Sequence, residues 1–291
     1  MCDRKTSGIL IIDKPEGKTS AVVDSICKKI LNVKRVGHVG TLDPFATGVL
    51  VVAVNNGTKA IPYINPAKKT YEFTIKFGEK TNTGDKTGQI VETSNKRPAY
   101  LELENVIASF VGEVFQTPHA FSAIKIGGKR AYQIARQGGT PEIKPRKVTI
   151  FSLELVDKID DSVFKMRTTV SPGTYIRSLC EDIAKTLGTV GHTHSLRRTR
   201  DGDFKEGQAV SLDELRENKS AALIPLESVL RDFLIVLLSN CEAESLAFGR
   251  EIRCDSVLEN DRYLAKSSNG FLGIVNVYDG VMKVERVLCL G

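Results

Sequence analysis

The sequence predicts an α+β protein with a central mixed, largely antiparallel sheet flanked by helices, plus a small C-terminal β-rich domain. Three observations predict it. Segments that alternate apolar and polar residues, such as 71–77, read as half-buried strands, and segments with apolar residues three and four apart, such as 176–187, read as helices. The two kinds follow one another irregularly, without the strict strand–helix alternation of a parallel sheet. Near the C-terminus, two β-type runs flank Asp279-Gly280, a strong hairpin signal.

Taken in order, residues 9–12 form a short apolar run, and residues 14–17 (Lys-Pro-Glu-Gly) carry turn chemistry. Thr19 or Ser20 can cap a helix whose apolar face is Val23, Ile26, Cys27 and Ile30. Residues 49–54 read as a strand. In 71–77, Tyr71, Phe73, Ile75 and Phe77 alternate with Glu72, Thr74 and Lys76. Further strands are expected near 148–156 and 163–170. Ile176, Leu179, Cys180, Ile183 and Leu187 share one helix face, and Gly188 is a stop. The character changes after about residue 232, so the expected units are 1–232, with an insertion at 116–147, and 233–291.

With 41% hydrophobic and 26% charged residues in 291, the chain has ample core for a globular protein. No run approaches the length of a membrane span, and no signal peptide is evident, so a cytoplasmic protein without a membrane partner is expected. The six cysteines (2, 27, 180, 241, 254 and 289) are scattered without a CxxC pair. They read as reduced, mostly buried thiols, and neither a zinc site nor a disulfide framework is expected. Net charge is +6, only a weak pointer to a polyanion. Its distribution says more. Residues 125–147 hold Lys125, Lys129, Arg130, Arg136, Lys144, Arg146 and Lys147 against one acid, Glu142, which matches the whole chain's excess. Gly127, Gly128, Gly138 and Gly139 break the run into a loop–helix–loop, and such a basic arm suits a phosphate backbone better than a plain solvated helix face would.

The stretch VGHVGTLDPFATGVLVVAV (36–54) places one acid, Asp43, between Thr41 and Pro44, with glycines at 37, 40 and 48. A lone loop aspartate is commonly an Asx turn or a helix cap. Here the loop runs straight into an apolar strand, which points to a single carboxylate held at the edge of a sheet. Three further blocks stand beside it: DKPEGKTS (13–20), QTPHAFSAIKIGGKRAYQIARQG (116–138) and GTYIRSLCEDIAKTLG (173–188).

Together these blocks resemble the TruB family of pseudouridine synthases, in the right order from Gly8 to about Arg200. The aspartate block is the most specific, and the Tyr71 strand, the basic insertion, G-T-Y-I-R and LRRTR (196–200) support it. The resemblance implies the pseudouridine synthase fold, with 1–232 as catalytic domain and 233–291 as a PUA-like RNA-binding domain. It implies an isomerase that converts uridine 55 in the T loop of tRNA to pseudouridine. Asp43 corresponds to the family's essential aspartate, Arg177 to the arginine that keeps it ionised and aimed, and Tyr71 to the tyrosine that stacks on the extruded base and can move a proton. Tyr175 and Leu196 correspond to walls of the base pocket, and His38 to a histidine that fills the space the nucleotide leaves. Lys14 corresponds to a loop-supporting residue, with a phosphate contact as the sharper alternative, and Asp85 to an acid near the RNA. Lys125, Lys129, Arg130, Arg136 and Arg146 would contact phosphates of the T stem-loop, positioning it without reading sequence. The reaction needs no cofactor. His192 and His194 lack acidic or thiol partners in sequence, so no metal is expected. Attack on C6, attack on C1′ and proton removal from C2′ all remain open for the carboxylate. The chain departs from the family pattern at His119, Phe121 and Thr193. Intact Asp43, Tyr71 and Arg177 argue against a non-catalytic RNA-folding protein. The guide-RNA-dependent, dyskerin-like branch carries extra terminal segments absent here, so a monomeric stand-alone bacterial enzyme without guide RNA is expected.

Overall fold

The computed structural model of the chain describes residues 7–64, 68–219, 223–254 and 258–289. The chain opens with strand β1 (Gly8–Lys14), helix α1 (Ser20–Leu31), β2 (Val36–Val39) and β3 (Thr47–Val54). The short helix α2 (Gly57–Ala60) leads to β4 (Lys69–Phe77) and a small ribbon, β5 (Glu79–Thr81) with β6 (Ile90–Thr93). Helix α3 (Tyr100–Ala108) precedes β7 (Gly112–Gln116). A projecting segment holds β8 (Lys125–Ile126), β9 (Lys129–Arg130) and α4 (Ala131–Arg136). The long hairpin β10 (Arg146–Lys158) and β11 (Val163–Val170), helix α5 (Ile176–Thr186), β12 (Gly191–Asp201) and β13 (Phe204–Lys205) complete the main sheet. Helices α6 (Leu212–Glu217) and α7 (Leu226–Val229) lead to β14 (Leu234–Leu237), α8 (Asn240–Ala247), β15 (Ile252–Arg253), β16 (Arg262–Ser267), β17 (Gly270–Tyr278) and β18 (Val281–Val287).

Among the described residues the main sheet has nine strands in the order β1-β3-β12-β4-β11-β10-β7, with β2 added to β3 and β13 to β12. Every pairing is antiparallel except β3 with β12, which run parallel through Arg197–Thr47 and Arg198–Gly48. The α+β fold with a mixed, largely antiparallel sheet is therefore the one the sequence predicts. Thr19 caps α1 by accepting the Val22 N–H, and Asn32 closes the helix in the left-handed region at φ 52°. Val23 and Cys27 of its apolar face are fully buried.

The near-continuous apolar runs of β1 and β3 have a physical cause. Leu10, Ile12, Leu50, Val52 and Val54 face the core that α1 and α5 cover. Ile9, Ile11, Val49, Val51 and Ala53 face the opposite side, against Leu226, Leu230, Leu264, Phe271 and Ile274 of the C-terminal region. Two-sided burial removes the alternation that a half-exposed strand would show. In β4, Tyr71, Phe73, Ile75 and Phe77 are buried while Glu72 and Lys76 are not, as the alternation required; Thr74 departs from it, buried where its hydroxyl meets that of Ser195 at 2.8 Å.

The C-terminal sheet has the order β14-β16-β17-β18-β15 and a core of its own, built on Val236, Leu246, Tyr263, Val275, Val277 and Met282. Asp279 and Gly280 turn between β17 and β18 with φ of 49° and 73°, so both central residues are left-handed, as in a tight primed turn. Of the five cysteines described, Cys27 and Cys180 are buried, Cys241 is exposed, and Cys254 and Cys289 are intermediate, so burial is less general than expected. Cys2 lies outside the described residues. No helix among the described residues is long and apolar enough to cross a membrane.

Gly48 sits where β12 crosses β3. Its φ is +95°, and a Cβ there would lie 2.3 Å from the Arg198 carbonyl oxygen. Strain and overlap therefore act together, and Gly48→Ala is expected to lower stability by about 2 kcal/mol or more, read from urea unfolding.

Candidate active site

Asp43 lies in the loop between β2 and β3. Leu42 and Phe45 are buried on either side of it, and the Ala46 N–H closes a turn onto the Asp43 carbonyl at 3.1 Å. The loop is braced by the 13–20 block. The Ser20 hydroxyl donates to the Leu42 carbonyl and accepts the Leu42 N–H, both at 3.0 Å. The Gly17 N–H donates to the Pro44 carbonyl at 2.8 Å. Lys14 Nζ donates to Lys18 O at 2.6 Å, Pro15 O at 3.0 Å and Pro44 O at 3.1 Å. Lys14 is 0% exposed, so all three ammonium protons are occupied inside the protein. Lys14 thus holds the loop, and its engaged protons leave none for the phosphate contact that was the sharper alternative. Burial pushes its pKa down to about 8, while Asp43 and Glu16 pull it upward.

Arg177 stands in the first turn of α5 and is 3% exposed. Its NH2 donates to Asp43 Oδ1 at 2.9 Å and to the Phe121 carbonyl at 2.9 Å. Nε sits 2.9 Å from Asp43 Oδ2 but lacks hydrogen-bond alignment. NH1 donates to the Thr83 carbonyl at 2.8 Å and lies 3.6 Å from Asp85 Oδ2. Asp85 is itself buried. Its Oδ1 accepts from the Thr83 hydroxyl and from both the N–H and the hydroxyl of Thr87. This corrects the expectation of an acid near RNA: Asp85 faces inward, as a second carboxylate on Arg177.

Burial is the largest influence on Asp43 and raises its pKa above the ordinary 3.8; the Arg177 charge opposes this, Asp85 adds to it, and the Arg177 hydrogen bond and His119 oppose it. Desolvation thus outweighs the Arg177 charge in the direction of the shift, while the guanidinium still favours the ionised form and aims it. Since the native carboxyl holds its proton more tightly than the unfolded chain, ionisation with rising pH opposes folding. The Asp43 side chain remains 32% exposed, toward a cavity.

That cavity has a volume of about 330 Å³, at the lower end of small-molecule pockets. Asp43, Tyr71, Tyr175, Leu196 and Arg198 line it, so four of the sequence-predicted residues converge there. Tyr71 pairs in register with Arg198 across β4 and β12. Burial raises the Tyr71 phenol's pKa, the Arg198 charge and hydrogen bond oppose this, and the phenol stays neutral at physiological pH. Arg198 is 1% exposed, with Nε on the Val49 carbonyl at 2.7 Å, NH2 on the Gly40 carbonyl at 2.9 Å and NH1 at 3.3 Å from Asp201. Asp201 in turn accepts from Lys69 Nζ at 2.5 and 2.6 Å. Arg198, Asp201 and Lys69 were not singled out in the sequence. The available signal was parity: in LRRTR, residues 196 and 198 share one face of a strand. His38 sits at the rim, its Nδ1 2.7 Å from Asp24 and its Nε2 3.0 Å from the Thr41 hydroxyl.

Lys125, Lys129, Arg130 and Arg136 are exposed on the projecting segment, where Gly127 and Gly128 turn β8 into β9. Arg146 is different. It begins β10 and pairs in register with Gln116 of β7, so the projection spans 117–145 between adjacent strands. The Arg146 guanidinium lies 5.0 Å above the Tyr175 ring. It therefore belongs to the cavity side rather than to the arm. His192 is buried with Nδ1 2.8 Å from the Glu79 carbonyl, and no cluster of His, Cys, Asp and Glu fit to hold a metal occurs among the described residues.

This fold and site define an enzyme class that comparison with known proteins identifies. Residues 28–176 match the TruB family pseudouridylate synthase N-terminal domain, and residues 177–236 match the tRNA pseudouridylate synthase B C-terminal domain. The chain is 42% identical over 251 residues to the tRNA pseudouridine synthase B of Caulobacter vibrioides, across 84% of this chain and 81% of that one. It is 36% identical to the same-named protein of Gluconacetobacter diazotrophicus, across 98% of both, and 37% identical to that of Aquifex aeolicus, across 97% and 99%. The fold is shared with a solved Cbf5–Nop10–Gar1 complex at a TM-score of 0.71 and 23% identity, across 97% of this chain and 85% of that one. The chain belongs to the TruB family of pseudouridylate synthases and is an isomerase.

Asp85→Asn keeps the Oδ1 acceptor for the Thr87 N–H but removes the charge that raises the Asp43 pKa. Carboxyl-detected NMR titration of wild type should find Asp43 above 3.8, and the Asn variant should move it downward.

Proposed function

We propose that the chain is a stand-alone, monomeric tRNA pseudouridine synthase of the bacterial cytoplasm. It isomerises uridine 55 in the T loop, without a guide RNA or cofactor. The observation that carries this reading is the Asp43 carboxylate, gripped by Arg177 at the wall of a base-sized cavity that also bears the Tyr71 and Tyr175 side chains. The similarity to tRNA pseudouridine synthase B proteins supports tRNA as the substrate.

The target nucleotide leaves the T loop and its base enters the cavity, where aromatic surface replaces lost stacking. The N1–C1′ bond breaks, the base turns, and C5 joins C1′. The hydrogen on C5 is lost and N1 gains one, so the formula is unchanged. Asp43 is the catalytic carboxylate, either as nucleophile or as stabiliser of the charge that develops on the sugar or base. Its desolvation lowers the ionised fraction, yet an ionised carboxylate stripped of water is the more reactive form. Arg177 aims it. Tyr71, as a neutral phenol, offers a stacking face and an O–H donor rather than a phenolate base. Leu196 and Tyr175 wall the base, and His38 at the rim occupies space the nucleotide vacates. Lys125, Lys129, Arg130 and Arg136 grip phosphates of the stem, and Arg146 approaches the backbone beside the pocket. Residues 1–232 form the catalytic domain and 233–291 a PUA-like RNA-binding domain, supported by its separate core.

The test is incubation with unmodified tRNA transcript and mapping of pseudouridine by carbodiimide-dependent primer extension, with a single stop expected at position 55. Asp43→Asn is expected to abolish that stop while leaving tRNA affinity within about threefold, because catalysis needs the charge and binding does not. Replacing Lys129, Arg130 and Arg136 together by Ala should weaken binding, and each lost phosphate contact should reduce the log–log salt slope by roughly 0.7 to 0.9. An unchanged slope in filter binding would place the RNA elsewhere.

A further inference from the structure

The projecting segment does not leave β7 freely. Its root, residues 116–121, is fastened along the first turns of α5. The Gln116 amide exchanges two hydrogen bonds with the Tyr175 backbone, at 2.8 and 3.0 Å. The Ser178 hydroxyl donates to the Thr117 carbonyl at 2.9 Å. The Phe121 carbonyl accepts from Arg177 NH2 at 2.9 Å, so the base of the RNA-gripping arm touches the guanidinium that holds Asp43.

His119 lies in the middle of this seam. Its Nδ1 accepts the Phe121 N–H at 3.2 Å, which puts the proton of the neutral ring on Nε2. Nε2 points to Glu181 Oε1 at 3.5 Å, and that buried oxygen has no hydrogen bond. Glu181 follows Arg177 by four residues on α5, so both side chains project from one face. The imidazole is 10% exposed, stacks on the Phe121 ring at 6.0 Å, and packs on Gly84, where a Cβ would come within 3.0 Å of it. Gly84 belongs to the loop whose Thr83 carbonyl and Asp85 carboxylate hold the other side of Arg177. The charged groups around the ring are thus Glu181 and Arg177 from α5, Asp85 from the 81–88 loop and Asp43 from the β2–β3 loop.

We propose that His119 is a positioning residue for the isomerisation: by accepting from Phe121 and facing Glu181 across 3.5 Å, it seats the arm's root so that the Phe121 carbonyl keeps Arg177 aimed at Asp43. Docking of the arm on RNA is then linked to alignment of the carboxylate. Glu181 is the fixed partner. A ring drawn toward its unsatisfied oxygen pulls the Phe121 backbone onto α5, and a ring lost from the seam releases it. The inference rests on Asp43 being the catalytic carboxylate.

The experiment compares wild type, His119→Ala, His119→Gln and Glu181→Gln, in single-turnover pseudouridine formation on tRNA transcript across pH, with tRNA Kd measured separately. His119→Ala should lower the saturating rate by about tenfold or more, with Kd changed less than about threefold, since small misplacements of a catalytic group are costly. Its acid limb should move to higher pH, because a loosened Arg177 opposes the burial of Asp43 less well. His119→Gln, which keeps a donor toward Glu181, should recover most of the rate. If the Ala variant folds poorly by thermal melting, Glu181→Gln serves in its place and should show the same moved limb. Wild-type rates and limbs in both Ala and Glu181→Gln variants would overturn the inference. So would equal losses in Kd and rate with an unmoved limb, the pattern of a merely slack arm. Full activity of Asp43→Asn would overturn the reading of Asp43 instead, whatever His119 does.

Discussion

The Arg177–Asp43 ion pair is the contact on which the rest of the site depends. Two charges withdrawn from water are costly, and their attraction compensates only when the remaining protons and lone pairs also find partners. The protein meets that condition by bringing carbonyls to the guanidinium. Thr83 and Phe121 each supply one, and Asp85 adds a second negative charge at longer range. Three stretches distant in sequence therefore meet at one planar group: the β2–β3 loop, the 81–88 loop and the root of the arm. A planar fork can serve three directions at once, which a single ammonium on a flexible stem does less well.

Much of this was readable beforehand, for reasons that can be stated. Alternation alone puts Tyr71, Phe73, Ile75 and Phe77 on one face of β4. Asp279-Gly280 announced its turn because few residues adopt positive φ in succession. Asp43 was conspicuous because it is a lone acid beside an apolar strand. What stayed hidden was direction and depth. Spacing cannot tell whether a loop acid such as Asp85 faces RNA or a guanidinium eighty and more residues away. For Lys14 the turn chemistry left loop support and a phosphate contact both open, and only the fold shows its ammonium enclosed by three carbonyls. The direction of the Asp43 shift depends on burial created by tertiary packing, and no local pattern encodes it. Arg198 escaped notice because a buried arginine in a basic run resembles its exposed neighbours, and only strand parity separates them.

Division of labour follows from where the cations lie. Lys125, Lys129, Arg130 and Arg136 ride on an excursion between Gln116 and Arg146, two residues that face each other across neighbouring strands. The main sheet therefore closes beneath the arm without interruption. Long-range attraction can be strengthened or weakened on the arm while the cavity keeps its packing. Arg146, at the foot of the excursion, is tied to the cavity through Tyr175 instead.

The parallel join of β3 and β12 has a further consequence. It brings Thr47 and Gly48 beside Arg197 and Arg198, and the sheet on one side of it is built from the first quarter of the chain. Hairpins such as β10–β11 and β17–β18 close through local loops, whereas this join must wait for a distant partner and bears the largest loop-closure entropy in the sheet. Asp43 stands on one side of the join, Tyr71 on the other. In refolding from denaturant, secondary structure should thus return well before turnover does, and a ribosome must release most of the chain before a working pocket can exist.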